Sequence, residues 1–274
     1  MPAGHRARRR FSQNFLHDVR YIDRIVAAIA PRPGQHIVEI GPGLGALTGR
    51  LVAGAGRIRC IEIDRDLAAR LRASFAAPQL EVIERDALEI DWVSLGRSLG
   101  GALRIVGNLP YHVSTPLLFK LVPAASFVED QHFMLQREVV DRMVAAPGGK
   151  DFGRLSVTLQ LRYRMAKLFD VPAGAFTPVP RVISSVVRMQ PRPVAELPEV
   201  ELSLVERVVA AAFGQRRKTV RNALAPLLDE TGIRAAGVDP GARAEQLPVA
   251  AFVDLARRVP AAAGTGDRAS GNGS

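Results

Sequence analysis

A chain of 274 residues is long enough for one full α/β domain with a buried core and a smaller second domain. Lys+Arg outnumber Asp+Glu 37 to 27, a formal charge of +10 that points to a polyanionic partner, nucleic acid before an anionic membrane surface. Cys60 is the single cysteine, which excludes an intrachain disulfide framework and a zinc cluster, and no apolar run is long enough to span a bilayer. The basic start, residues 1–10, leads into Phe11-Ser12-Gln13-Asn14 rather than a signal-peptide core, so the expectation is a cytoplasmic protein without membrane or metal.

Taken in order, Ile22, Ile25, Val26 and Ile29 mark one helical face over residues 21–30, stopped by Pro31. Residues 36–40 read as a short buried strand broken by Gly41-Pro42-Gly43-Leu44-Gly45, after which Leu44, Leu47, Leu51 and Val52 restore helical spacing. Residues 58–63 form a second β-rich run ending in Glu62-Ile63-Asp64, followed by a helix through Leu67 and Leu71 and a third strand at 80–83. A fourth strand, 103–106, runs straight into Gly107-Asn108-Leu109-Pro110-Tyr111; a helix over 116–122 and a fifth strand over 131–135 follow. Strands alternating with helices predict a mainly parallel sheet covered on both faces, with ligands bound beyond the carboxyl ends of the strands. Residues 153–163 fit either a strand or a helix. From 168 to 189, two β-like runs around Pro172, Pro178 and Pro180 predict an antiparallel hairpin at the sheet edge. The composition changes after Pro191-Arg192-Pro193: 202–213, 220–228 and 249–259 are helical patterns, and 261–274 is a Gly/Ala/Ser-rich, disordered tail. The expected domains are therefore 1–190, a helical 194–260, and that tail.

The glycine run follows a strand and opens a helix, where glycine lets the backbone turn and approach a ligand. Ala46 completes a G-x-G-x-x-A pattern and Glu62 lies about twenty residues on, so a nicotinamide enzyme is a fair local reading. Three features favour S-adenosylmethionine instead. Glu39, just before Ile40-Gly41, would repel a pyrophosphate but tolerates a ligand cationic at its amine and sulfur. Asp86-Ala87 follows the third strand, placed to accept from an adenine amino group. Asn108-Leu109-Pro110-Tyr111 has no role in a dehydrogenase. A satisfied buried acid at Glu39 and a helix N-cap at Asp86 are the plain alternatives.

Asn-x-Pro-Tyr at a strand end suits amine methylation. An adenine amino nitrogen is a poor nucleophile because its lone pair is delocalised into the ring. Accepting its two hydrogens at the Asn108 side-chain oxygen and the Leu109 carbonyl would favour a pyramidal nitrogen. Pro110 stiffens the turn, and Tyr111 offers a face for stacking the flipped base. Positioning carries such a reaction, and no general base is needed. Phe176, in Phe176-Thr177-Pro178-Val179-Pro180, is read as a second stacking face or an ordinary loop anchor.

Together these residues resemble the bacterial ribosomal RNA adenine dimethyltransferases, the KsgA family, from Arg9 to about Val259. The match includes Arg10 to Leu16, Glu39 to Thr48, Glu62-Ile63-Asp64, Asp86-Ala87, Gly107 to Pro116, Gln136 to Met143, Phe152 to Ser156, the Phe176 loop and Phe213 to Thr219. The resemblance implies a Rossmann-like class I methyltransferase with a small helical C-terminal domain. It also implies dimethylation of two adjacent adenosines near the 3′ end of 16S small-subunit rRNA, with a role in subunit maturation. Asn14, Leu16, Glu39, Gly41, Gly43, Glu62, Asp86, Ala87 and Asn108 are the expected cofactor residues; Asn108, Leu109, Pro110, Tyr111 and Phe176 the expected catalytic ones. Two positions depart from the family: Ser12 stands for a glycine and Ile183 for an acid. The erythromycin-resistance methyltransferases of large-subunit rRNA share the cofactor motifs and Asn-x-Pro-Tyr and are the rival. The Phe213 to Thr219 run, Phe152-Gly153-Arg154 and Leu109 favour the small-subunit enzyme.

Arg6, Arg8, Arg9 and Arg10 make a basic arm, and Arg216, Arg217, Lys218 and Arg221 a second cluster. Both are read as phosphate contacts to small-subunit rRNA or the small ribosomal subunit, against the plainer solvated charge run. A ribosome-assembly factor acting mainly by binding is the reading from another class, and a monomer is expected because no coiled-coil or apolar stripe appears.

Overall fold

The computed structural model describes residues 14–215 and 217–260. It opens on a two-residue strand, β1 (Phe15–Leu16), and a helix, α1 (Val19–Ile29), capped by Asp18, whose side chain accepts from the Arg20 amide. The chain then alternates β2 (His36–Ile40), α2 (Thr48–Ala55), β3 (Ile58–Glu62), α3 (Arg65–Ser74), β4 (Leu80–Glu84), α4 (Trp92–Ser98), β5 (Leu103–Asn108), α5 (Tyr111–Leu121), β6 (Val128–Gln136), α6 (Arg137–Met143) and α7 (Arg154–Arg162). β7 (Tyr163–Val171), β8 (Phe176–Thr177) and β9 (Ser184–Pro191) complete the strands. The main sheet has the order β4-β3-β2-β5-β6-β9-β7; the first five strands are parallel and β9 is antiparallel to both its neighbours. The predicted parallel sheet with an antiparallel edge pair is therefore observed, and the architecture is Rossmann-like.

Chain order sets the position of the site. From β2 the chain steps outward through β3 to β4, then returns to β5 on the other side of β2. The loops after β2 and β5 thus diverge and leave a crevice at their carboxyl ends. At Gly107 a Cβ would stand 2.5 Å from the Ile40 carbonyl oxygen, so only glycine lets these two strands approach there.

Several elements depart from their sequence pattern. α5 begins at Tyr111, five residues before the expected start, and carries Pro116 inside it. Leu117, Leu118 and Leu121 are buried, which offsets the hydrogen bond that proline removes. The ambiguous stretch resolves as α7 followed by β7: Ser156, Val157, Thr158 and Leu159 are all buried, so no two-residue alternation survives in the packing. The short helices α4 and α6 have no long apolar stripe to announce them.

The chain divides into two compact units, one of Met1–Ala145 with Leu159–Leu197 and one of Ala146–Thr158 with the chain from Pro198 onward. The second contains α8 (Leu202–Gly214), α9 (Val220–Leu224), α10 (Glu230–Ala235) and α11 (Val249–Arg258). Where the sequence reading has one linear boundary near 190–194, residues 146–158 join this helical unit. Phe152 is buried there, edge-on to Phe213 with ring centroids 6.3 Å apart, and Phe213 stacks on Phe252 at 5.5 Å. Of the four helices, α10 is the one the pattern does not announce; Asp229 caps it by accepting from the Gly232 amide at 2.7 Å. Among the described residues no helix is long and apolar enough to cross a membrane.

Candidate active site at the carboxyl ends of the strands

One cavity opens where β2, β3, β4 and β5 end. Every residue expected to contact the cofactor lines it: Asn14, Leu16, Glu39, Gly41, Gly43, Glu62, Asp86, Ala87 and Asn108. So do Leu109, Pro110 and Tyr111. Residues as distant in the chain as Asn14 and Asn108 are thereby brought to one wall.

The glycine loop is shaped by Glu62. Its Oε2 accepts from the Gly43 amide at 3.2 Å and its Oε1 from the Asp64 amide at 2.9 Å, which ties the ends of β2 and β3 together. Burial raises the Glu62 pKa against these two backbone donors. Gly43 adopts φ +59°, and a Cβ on it would press the Phe15 ring at 3.2 Å. Glu39 is 2% exposed; its Oε2 accepts from Thr48 Oγ1 at 2.7 Å, and burial pushes its pKa up to about 7. Asp86 is not a helix N-cap: its Oδ1 accepts from the Leu88 amide at 2.9 Å in a tight turn, while α4 is capped by Asp91.

At the β5 end, Asn108 Nδ2 donates to the backbone carbonyl of Asn14 at 3.2 Å. That bond orients the amide: its NH₂ side is turned to the residue before β1, and Oδ1, an acceptor, is on the other side of the group. The Leu109 amide donates to the Met134 carbonyl at 3.2 Å, and its side chain is buried, so β6 holds the turn from beneath. Pro110, at φ −57°, directly precedes α5, and the Tyr111 hydroxyl lies 3.3 Å from Ser184 Oγ.

For Phe176, read from the sequence as a stacking face or a loop anchor, the ring is 1% exposed and sits in the core with Leu16, Val171, Ala175 and Val186. The cause is pairing invisible to local pattern: β8 pairs antiparallel with β1, Leu16 opposite Phe176, which draws the ring inward. Phe176 is not among the residues that line the cavity. Ile183, where the family has an acid, accepts from the Arg137 amide through its carbonyl at 2.9 Å, a bond any residue can make.

Phe15, Leu44, Ile63 and Arg85 also line the cavity and escape the sequence reading. Ile63 is 46% and Leu44 40% exposed. Large apolar side chains left open directly after a strand or inside a glycine turn are the signal that would have marked them as an apolar wall for a flat ligand.

Of the basic residues, Arg6, Arg8, Arg9, Arg10 and Arg216 lie outside the described residues, as does the 261–274 tail. Arg217 and Lys218 are exposed, whereas Arg221 is paired with Glu230 at 3.3 Å. Among the described residues no group of three His, Cys, Asp or Glu is arranged to hold a metal ion.

The donor set suits a cationic, adenosine-bearing ligand: two buried carboxylates, each held by protein hydrogen bonds, stand beside an apolar wall. A pyrophosphate would meet both of those carboxylates. A family model for ribosomal RNA adenine dimethylase matches residues 4–260. A relative from Aromatoleum aromaticum, ribosomal RNA small subunit methyltransferase A, is 55% identical over 94% of this chain and 96% of its own length. The protein of the same name from Pseudomonas aeruginosa is 51% identical over 93% and 95%. Among solved structures, 23S rRNA methyltransferase ErmE superposes with a TM-score of 0.69 at 25% identity, covering 90% of this chain and 99% of that one. A dimethyladenosine transferase from Plasmodium falciparum shares the fold, with a TM-score of 0.72 at 23% identity over 88% and 95%.

Proposed function

The chain belongs to the ribosomal RNA adenine dimethylase family, and from that premise we propose that it dimethylates the exocyclic amines of two adjacent adenosines near the 3′ end of 16S small-subunit rRNA. Bound S-adenosylmethionine supplies the methyl group, carried on a sulfonium. The residues of this chain do the rest by position. Glu62 accepts from the ribose hydroxyls, Asp86 from the adenine amino group, and Glu39 faces the cationic amino-acid end.

The observation that carries the reading is the Asn108 amide. Its NH₂ is committed to the Asn14 carbonyl, so Oδ1 is the atom offered to an incoming amine. With the Leu109 carbonyl as second acceptor, both amine hydrogens are held and the nitrogen lone pair is turned towards the methyl donor. Tyr111 at the first turn of α5 stacks on the extruded base. The nitrogen's acidity rises as the new bond forms, so its proton leaves to water, and none of the residues named needs to act as a base. Removing one such preorganised acceptor costs about 100-fold in rate.

Arg217 and Lys218, exposed and without a paired acid among the described residues, support phosphate contacts in the helical unit. We read the protein as a monomer acting on the small ribosomal subunit in the cytoplasm. The test is methylation of small subunits lacking the modification, with labelled S-adenosylmethionine and nucleoside mass spectrometry. Dimethyladenosine in 16S rRNA is expected, with a Michaelis constant for the subunit that rises steeply with salt. Product on naked large-subunit rRNA instead would overturn the target. No product on either, with subunit binding intact, would leave an assembly role.

A further inference from the structure

Three elements of the fold converge on one oxygen of Glu39. Oε2 accepts from Thr48 Oγ1 at 2.7 Å, at the first residue of α2, and from Cys60 Sγ at 3.6 Å, in the middle of β3. Thr48 and Cys60 are both fully buried, and Glu39 itself is 2% exposed on β2. Oε1 has no protein donor among the described residues and belongs to a side chain that lines the cavity.

We infer that Thr48 and Cys60 are positioning residues for the cofactor: their two buried donors clamp Oε2 of Glu39 and leave Oε1 for the positive end of S-adenosylmethionine. This rests on the cavity being the S-adenosylmethionine site, and not on which RNA is methylated.

A carboxylate without a paired cation in such surroundings is held ionised only by the hydrogen bonds it accepts. Burial is the largest effect on Glu39 and pushes its pKa up; the Thr48 and Cys60 bonds push it back down, and the settled value is about 7. The titratable neighbours are few. Glu62 at the end of β3 adds like charge and raises it. Cys60 is itself held protonated, well above its ordinary pKa, by burial beside Glu39, so it can only donate. α2 contributes uncharged Thr48, and β5 sets Val106 opposite Glu39. Arg85 and Asp86 line the same cavity from beyond β4. Cofactor affinity therefore depends on pH near neutrality, and Thr48 and Cys60 set where the change falls. Protonation of Glu39 removes the charge that the ligand's cation meets, so binding weakens as pH falls.

The experiment is equilibrium binding of S-adenosylmethionine to the full chain between pH 6.0 and 8.5, for wild type, Thr48→Val, Thr48→Ser, Cys60→Ala and Glu39→Gln. The ligand's own amino group titrates near about 8, equally for every protein, so variant-to-wild-type ratios isolate the contribution of Glu39. Thr48→Val is expected to weaken binding about tenfold at pH 6.5 and much less at pH 8.5. Thr48→Ser restores it, and Cys60→Ala moves it the same way by about twofold. In a Glu39→Gln background the Thr48 effect disappears. A Thr48→Val ratio constant across pH, or no recovery with Ser, would make Thr48 a packing residue and overturn the inference. A wild type that binds no S-adenosylmethionine at any pH would instead sink the cofactor reading, and this inference with it.

Discussion

At the amino ends of the central strands, Arg104 of β5 is buried against Asp130 of β6 through two bonds of 2.9 and 2.7 Å. Its remaining donors reach Gln35 and the carbonyls of Ile29 and Ala30, which close α1. At the carboxyl ends, Glu39 and Glu62 are also buried, but no cation balances them among the described residues; only neutral donors do. The first arrangement is complete without a ligand and locks a helix to the sheet. The second holds negative charge in reserve for something positive. A buried group whose partners are all supplied by the chain stabilises structure, and one left short of a counter-charge marks a binding site.

The largest effect is expected from Arg104→Leu. It leaves Asp130 buried without its partner and should cost about 3–5 kcal/mol, seen as a melting temperature lowered by roughly 10 °C. Cofactor affinity of the surviving folded protein should not move. A drop of only a degree or two would mean that the amino-end network is as open as the carboxyl-end one.

Asn108→Ala should act in the opposite sense, cutting methyl transfer at least about 100-fold while the melting temperature stays within about 3 °C of wild type. A large loss of stability in thermal melts would reassign Asn108 to structure. Glu62→Gln comes next, with S-adenosylmethionine binding about 30-fold weaker by calorimetry. Gln can accept from only one of the Gly43 and Asp64 amides, which offsets the relief of a buried charge, so the melting temperature of the unliganded protein should fall by no more than about 3 °C; a much larger loss would contradict the reserve-charge reading.

The smallest effect is a pair of opposed pH slopes. His132, buried beside the Arg104–Asp130 pair, has its pKa lowered to about 4 by burial first; the nearby Asp130 opposes this, while Arg104 and Arg188 add to it. The unfolded chain therefore binds a proton before the folded one does, and this group's contribution to stability is lost as pH falls from about 6.5 through 4. Glu39, raised to about 7, does the reverse: its contribution is present at about pH 4.5 and lost as pH rises through 7. Denaturant titrations from pH 4 to 8 should give a flattened profile for the unliganded protein. His132→Gln should leave the Glu39 slope, and Glu39→Gln the His132 slope. Two variants with the same slope would show that the ends do not titrate independently.

The parallel strands, the edge pair and the motifs at each strand end were legible in the amino-acid sequence. Those signals are local: a buried strand is a short apolar run, a ligand loop needs glycine where a Cβ would collide, and Asn108 to Tyr111 is contiguous. What each motif residue touches depends on packing between distant segments. The orientation of Asn108 comes from a carbonyl 94 residues away in the chain, at Asn14. The burial of Phe176 comes from its pairing with Leu16, and the inclusion of residues 146–158 in the helical unit comes from Phe152 among its phenylalanine neighbours. Glu39 read as an acid beside a glycine loop; that Thr48 and Cys60 restrain it is a fact of packing between β2, α2 and β3. Composition and periodicity carry short-range sterics and hydrophobicity, whereas hydrogen-bond partners and burial depend on which distant segments the finished sheet brings within about 3 Å.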